Sequence, residues 1–246
     1  MPGLSPTEPV SHLKRVPIVE SGEPLVDFLK YCPLIALDKP QFSYRRETLI
    51  RKTVGEKLCQ AAGLFPAGIY LAVLEGWRAP VIQQRMYRTM WDKFRAKHPG
   101  WSEAALRRET NKFVAPMRLD VPPPHTTGGA LDVALLDRDG NTLDMISPYA
   151  ANDSKGFPMA APALSLKAKR NRELLAGVLV SVGLTNYPSE FWHYSYGDQG
   201  WAYRGSHQQA IYGAIIPDDW MPDPADVVDE PLVVVAGKAG RASVQS

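Results

Sequence analysis

Apolar residues recur at helical spacing through several stretches of this chain, and between them lie short unbroken apolar runs bounded by glycine or proline. That alternation predicts helices interleaved with buried strands. From Tyr44 to Leu64 the residues Leu49, Ile50, Val54, Leu58, Ala61 and Ala62 fall on one helical face, and Gly63 is placed to end the helix in the left-handed conformation. The run from Ile69 to Leu74 suits a buried strand. Pro80 fits the first turn of a helix over Val81 to Lys97, striped by Ile82, Met86, Met90 and Phe94. Ser102 is placed to cap a further helix reaching about Phe113. After the break at Pro122 to Pro124, Leu131 to Leu136 reads as a strand, closed into a hairpin by the turn Asp137 to Gly140. Residues 144 to 163 read as loop, Ser165 to Val182 as a helix ended by Gly183, and Phe191 to Tyr196 as an aromatic strand.

These elements predict an α+β fold, one domain in which a small antiparallel sheet is flanked by helices. The expected division is an N-terminal arm over 1–24, a catalytic domain over 25–216 and a mobile tail over 217–246. At 246 residues, 45% hydrophobic and 22% charged, the chain has ordinary globular composition and length enough for its own core. The net charge of +2 is too small for a polyanion partner. The basic groups at Arg45-Arg46, Arg51-Lys52, Arg107-Arg108 and Lys167 to Arg172 read as solvated helix faces, so nucleic acid is not an expected partner. No apolar run reaches the roughly 18 residues of a membrane span. The N-terminus lacks a basic, then apolar, leader pattern, so a cytoplasmic location is expected. Cys32 and Cys59 form no metal-binding pair, and a reduced pair is the more economical expectation.

Chemistry concentrates in two segments. His125-Thr-Thr-Gly-Gly-Ala-Leu-Asp132 and, further along, Glu190-Phe-Trp-His193 together hold two imidazoles and a carboxylate, the mixed ligand set that suits a catalytic zinc with one position open for water. A straight strand would set His125 and Asp132 about 23 Å apart, so Gly128 and Gly129 must let the chain turn between them. A bend at Pro188 and Ser189 would likewise bring Glu190 and His193, which point apart in an extended chain, toward one centre. Glu190 is then the candidate general base. The blander alternatives are a strand-end cap for Asp132, a loop residue for His125 and a core imidazole for His193. Arg78, fixed between Gly76 and Pro80, is placed to hold a developing oxyanion, or else to pair with Glu75 or a helix end. His12, His98 and His207 have positions that suit no catalytic part, while Trp192, Trp201 and Tyr203 read as core or pocket wall.

Taken together, the segments Pro123-Pro-His125-Thr-Thr-Gly128-Gly-Ala130-Leu-Asp132, Glu190-Phe-Trp192-His193 and Gly76-Trp77-Arg78-Ala79-Pro80 resemble the motifs of the D-alanyl-D-alanine dipeptidases, the VanX-type zinc peptidases related to D,D-carboxypeptidases and hedgehog domains. The resemblance covers about residues 45 to 205. It implies one zinc ion held by His125, Asp132 and His193 at the sheet edge, Glu190 as base, Arg78 as transition-state stabiliser and a confined cavity for a dipeptide. Two positions depart from the family pattern: Pro123 replaces a Ser, and Ala150 replaces the Asp that helps bind the substrate's ammonium. That leaves Asn152 or Asp153 as candidates for the ammonium contact, with Trp192 as a second candidate substrate contact. The expected activity is hydrolysis of D-Ala-D-Ala or a related short peptide. The alternatives are a peptidoglycan D,D-carboxypeptidase or L,D-endopeptidase, and a non-catalytic zinc-stabilised binding module.

Overall fold

A computed structural model describes residues 8–38, 44–151 and 153–226. Its strands are β1 (Leu25–Asp27), β2 (Ala36–Leu37), β3 (Leu49–Arg51), β4 (Tyr70–Glu75), β5 (Ala130–Leu136), β6 (Thr185–Asn186) and β7 (His193–Ser195). Its helices are α1 (Val10–Leu13), α2 (Phe28–Tyr31), α3 (Lys52–Ala62), α4 (Pro80–Lys97), α5 (Glu103–Thr110), α6 (Leu166–Ser181) and α7 (Gln199–Gly205). The main sheet runs β2-β4-β5-β7-β6, and β1 and β3 form a separate two-stranded ribbon. The fold is therefore α+β, as the alternation of patterns predicts. The sheet is antiparallel except where β2 lies parallel to β4.

One face of the sheet is apolar. Leu71, Val73, Leu131, Val133, Leu135 and Tyr194 pack there with Val54 and Leu58 of α3 and Leu175 and Leu179 of α6, all essentially withdrawn from water. Each such side chain contributes roughly 1.5–3 kcal/mol, well above the tenths of a kcal/mol that separate helix propensities. Burial thus decides where the elements begin. The stretch expected as one helix from Tyr44 shows this. Leu49 to Arg51 instead pair antiparallel with Leu25 to Asp27, burying Ile50, and the helix starts only at Lys52. Leu49 and Ile50 match a helical face by spacing alone. Gly63 ends α3 with a right-handed φ of −75°, not the left-handed one expected, whereas Gly183 after α6 does turn left-handed at φ +90°.

Other boundaries follow local chemistry. Ser102 and Ser165 cap α5 and α6, their hydroxyls accepting from Ala105 and Ala168 N–H. From Glu8 onward the arm is packed against the body. Ile18 bridges to Ala210, Gln199 Nε2 donates to the carbonyls of Leu13 (3.1 Å) and Val16 (2.8 Å), and Glu8 pairs with Arg204. The expected tail is likewise packed as far as Asp226. Trp220 lies edge-on to Trp77 at 5.3 Å, and buried Asp226 pairs with Arg85; residues 227–246 lie outside the described residues. Cys32 and Cys59 are joined as a disulfide rather than standing as the expected reduced pair, their Cα atoms 5.5 Å apart where α2 meets α3. Among the described residues no helix is long and apolar enough to cross a membrane.

Candidate metal centre

The opposite face of the same sheet carries the chemistry. Glu75 of β4 stands across from Asp132 of β5, and Asp132 stands across from His193 of β7, so three ionisable groups form one row over three neighbouring strands. A β-bulge creates that row. Val73 faces Val133, yet Glu75 faces Asp132, so Leu74 is an extra residue on β4. In a regular strand Glu75, two positions after Val73, would share the parity of Leu71 and Val73 and point into the core. The row crosses inner strands, so the candidate centre lies on the sheet's face and not at its edge.

His125 reaches the row from a 3-10 turn, Pro124–Thr127. Gly128 follows it with φ +71°, and Gly129 sits where an added Cβ would meet the Tyr196 carbonyl at 2.5 Å. The chain therefore reverses over two glycines, as the ligand spacing requires. The His125 Nδ1–H donates to the Gly76 carbonyl at 2.9 Å. That fixes the ring and leaves Nε2 aimed at Asp132 Oδ1, 3.4 Å away. From the other side His193 Nδ1 lies 3.0 Å from the same oxygen. One donor atom from each of His125, Asp132 and His193 lies within 4.8 Å of the others. Two imidazoles and a carboxylate converging this tightly fit a tetrahedral zinc with an open fourth position.

The electrostatics agree with that set. Burial works to raise the Asp132 carboxyl, but the imidazoles of His125 and His193 outweigh it and hold the group well below the usual carboxylate range. Burial works to lower His125, and the Asp132 charge outweighs that and raises it. Such a carboxylate stays ionised beside any cation that enters.

Glu190 joins from the turn before β7. Its N–H donates to the Tyr187 carbonyl at 3.0 Å, and Asn186 Nδ2 donates to the carbonyls of Glu190 (2.9 Å) and His193 (3.0 Å). This tight turn through Pro188 and Ser189 brings Glu190 Oε2 to 3.9 Å from His193 Nδ1. The side chain remains 38% exposed, and burial of the rest raises its carboxyl above the ordinary value. It is open to a substrate and readier than a free glutamate to hold a proton.

Arg78 follows β4, its main-chain N–H donating to the His125 carbonyl at 3.1 Å. Nε donates to Glu75 Oε1 at 2.8 Å, Nη2 to Glu75 Oε2, and Nη1 to Gln83 Oε1 at 2.7 Å. Tyr44 adds a hydroxyl on Glu75 Oε1 at 2.7 Å. Burial would raise the Glu75 carboxyl, and Arg78 outweighs it and lowers it. The guanidinium, with five N–H donors, keeps at most two for a ligand. The pairing with Glu75 weighed from the sequence is present, and it orients Arg78 without exhausting it.

The structure thus brings together His125, Asp132, His193 and Glu190, with Arg78 beside them. Asp153 and Trp192 have contacts of another kind. Asp153 caps the short turn Ser154–Gly156 by accepting from Lys155 N–H at 3.0 Å, and Trp192 packs edge-on to Phe157 and Phe191, both at 4.8 Å. Asn152 lies outside the described residues. The sequence did not single out Tyr44 or Gln83. It also placed Arg51 and Arg172 in solvated basic groups, although both are buried, at 0% and 1% exposure. Arg172 had a signal, because Ala168, Arg172, Leu175 and Leu179 occupy one helical stripe of α6.

The sequence profile described as Peptidase M15, D-ala-D-ala dipeptidase, matches residues 31–212. A D-alanyl-D-alanine dipeptidase of Synechocystis is 28% identical over 243 residues, covering 84% of this chain and 98% of that protein. One from Escherichia coli K12 is 33% identical over 70 residues, 28% of this chain and 36% of that protein. Among solved structures, a mutant of the vancomycin-resistance D,D-pentapeptidase VanY in complex with Zn(II) is 18% identical, with a TM-score of 0.39 over 80% of this chain and 96% of that chain. VanYB in complex with D-alanine-D-alanine is also 18% identical, with a TM-score of 0.41 over 68% of this chain and 86% of that chain.

Proposed function

Because this chain belongs to the D-Ala-D-Ala dipeptidase family of M15 peptidases, we propose that it is a zinc-dependent dipeptidase that hydrolyses D-Ala-D-Ala or a closely related short peptide. The observation that carries this reading is the convergence of His125, Asp132 and His193 donor atoms within 4.8 Å, with the Glu190 carboxylate 3.9 Å from one of them. A zinc ion held there would bring the pKa of water toward neutrality and draw electrons from the scissile carbonyl. A merely structural zinc would close its fourth position and would need neither Glu190 nor Arg78.

The residues divide the work. Gly76, through its carbonyl, and Asp132 set the orientation of the two imidazoles. Glu190 takes a proton from the attacking water as the new C–O bond forms, and returns it to the leaving nitrogen as the C–N bond breaks. Its raised carboxyl pKa favours the protonated form midway through that exchange. Arg78, held by Glu75 and Gln83, offers its remaining N–H groups to the oxygen that gains charge. The products are two free amino acids, and the small peptide is the partner.

The test is release of D-alanine from D-Ala-D-Ala by the zinc-loaded protein, beside L,L and L,D dipeptides and a pentapeptide ending in D-Ala-D-Ala. Turnover of D-Ala-D-Ala, abolished by chelator and restored by zinc, is the expected result. Cleavage of the pentapeptide alone would replace the dipeptidase with a carboxypeptidase at the same centre. No turnover of any substrate by protein carrying stoichiometric zinc would overturn the reading.

A further inference from the structure

Arg172 of α6 is 1% exposed, and its guanidinium meets main-chain carbonyls instead of a carboxylate. Nε donates to Met145 O at 2.6 Å, Nη2 to Gly156 O at 2.6 Å, and Nη1 to Pro158 O at 2.6 Å and Met159 O at 3.4 Å. The guanidinium carbon, Cζ, lies 4.0 Å from the centre of the Phe191 ring. A charge taken out of water is tolerated only when its donors are met, and here one segment, 145–159, supplies all four of these acceptors. Asn171 adds a bond from Nδ2 to Asp144 O at 2.7 Å, just before that segment.

The same segment grips the turn that carries Glu190. Met159 N–H donates to Pro188 O at 2.9 Å, and Phe191 N–H donates to Phe157 O at 3.0 Å. Glu190 is thus bracketed, two residues before and one after, by bonds to a segment that is itself folded around one cation. Phe191 closes the loop of contacts, since its ring lies against that cation and its N–H is one of the two bonds.

We propose that Arg172 is a positioning residue for Glu190, its guanidinium shaping the 145–159 segment into a clamp on the Glu190 turn. This rests on the reading of Glu190 as the base. The fork of the guanidinium is essential to the clamp. A lysine carries one nitrogen with three donors, which cannot span carbonyls met at present by three separate nitrogens. Asp132 on β5 and His125 on its turn are held by other bonds, and His193 is fixed by its pairing with Asp132 and by the bond from Val133 N–H to the Trp192 carbonyl, so the clamp sets the place of the base and not the metal.

The experiment compares wild type with Arg172→Lys, and with Phe191→Leu, which leaves the guanidinium in place and removes only the ring beside it. Amide hydrogen exchange at Met159 and Phe191 is expected to speed up in Arg172→Lys while the α6 amides stay protected. Zinc stoichiometry should be kept, and kcat should fall by up to about 100-fold, as misplacement of a reacting group by about 1 Å does, with KM little changed. Phe191→Leu should move the same quantities in the same direction by less. Unchanged exchange at Met159 and Phe191 in either folded variant would overturn the clamp. Faster exchange with unaltered kcat would overturn its role in positioning the base. Exchange needs no turnover, so a wild type that hydrolyses nothing would refute the proposed function and leave the clamp to be judged by exchange.

Discussion

Replacing Glu75 with Gln tests the pairing that the sheet builds behind the candidate metal centre. The carboxylate is 2% exposed and accepts two N–H groups from Arg78 and the hydroxyl of Tyr44. Glutamine keeps the shape but removes the charge and one acceptor, leaving the 11% exposed guanidinium without its counterion. Breaking a buried ion pair from one side costs about 3–5 kcal/mol. For a domain of this size, about 2–4 °C per kcal/mol makes that a fall in melting temperature of roughly 6–20 °C. The sign of the pH dependence follows from the lowered Glu75 carboxyl. A group whose folded pKa is depressed gives stability that is present above its unfolded value, about 4.3, and lost as the pH falls through the folded value. The gap between wild type and Glu75→Gln should therefore be widest near neutrality and narrow in acid. Urea unfolding of zinc-free protein at pH 7 and at pH 4 measures both arms. A Glu75→Gln protein within about 1 kcal/mol of wild type at pH 7 would refute the reasoning, and so would a gap that widens in acid.

Two further outcomes are expected at the centre itself. Glu190→Gln should keep one zinc per chain and the wild-type unfolding curve yet lose about 100- to 10,000-fold in kcat, read by D-alanine release; retained activity would remove Glu190 from the mechanism. Asp132→Ala deletes the oxygen that both imidazoles share at 3.0 and 3.4 Å, so elemental analysis after dialysis should show zinc lost, whereas bound zinc at full stoichiometry would place the metal elsewhere.

The candidate metal triad and the carboxylate beside it were legible because their residue types are costly to bury and have no packing use. His125, Asp132, Glu190 and His193 announce themselves in a chain that is otherwise ordinary, and the glycines after His125 declare a turn. What the sequence hid depends on contacts between distant segments. Leu49 to Arg51 carry a helical spacing, yet Leu25 to Asp27 claim them as a strand. Arg51 and Arg172 look like surface charges until the carbonyls that surround them are known. Asp226 and Trp220 sit in a stretch with the composition of a tail, and only their partners Arg85 and Trp77 make it part of the body. The parity of Glu75 was equally hidden, since an extra residue on one strand leaves no mark in composition.

That extra residue, Leu74, makes β4 a strand with two independent phases. Leu71 and Val73 answer to the oily side of the sheet, while Glu75, only two positions on, answers to the polar side. Without the offset, a strand whose odd positions build the core could not end in a charge at an odd position. Deleting Leu74 would place Glu75 directly after Val73, still opposite Asp132, and the strand would lose its bulge. Gly76, Trp77 and Arg78 would then be drawn back by one position, so the change would be felt where the guanidinium is delivered and not in the facing of Glu75.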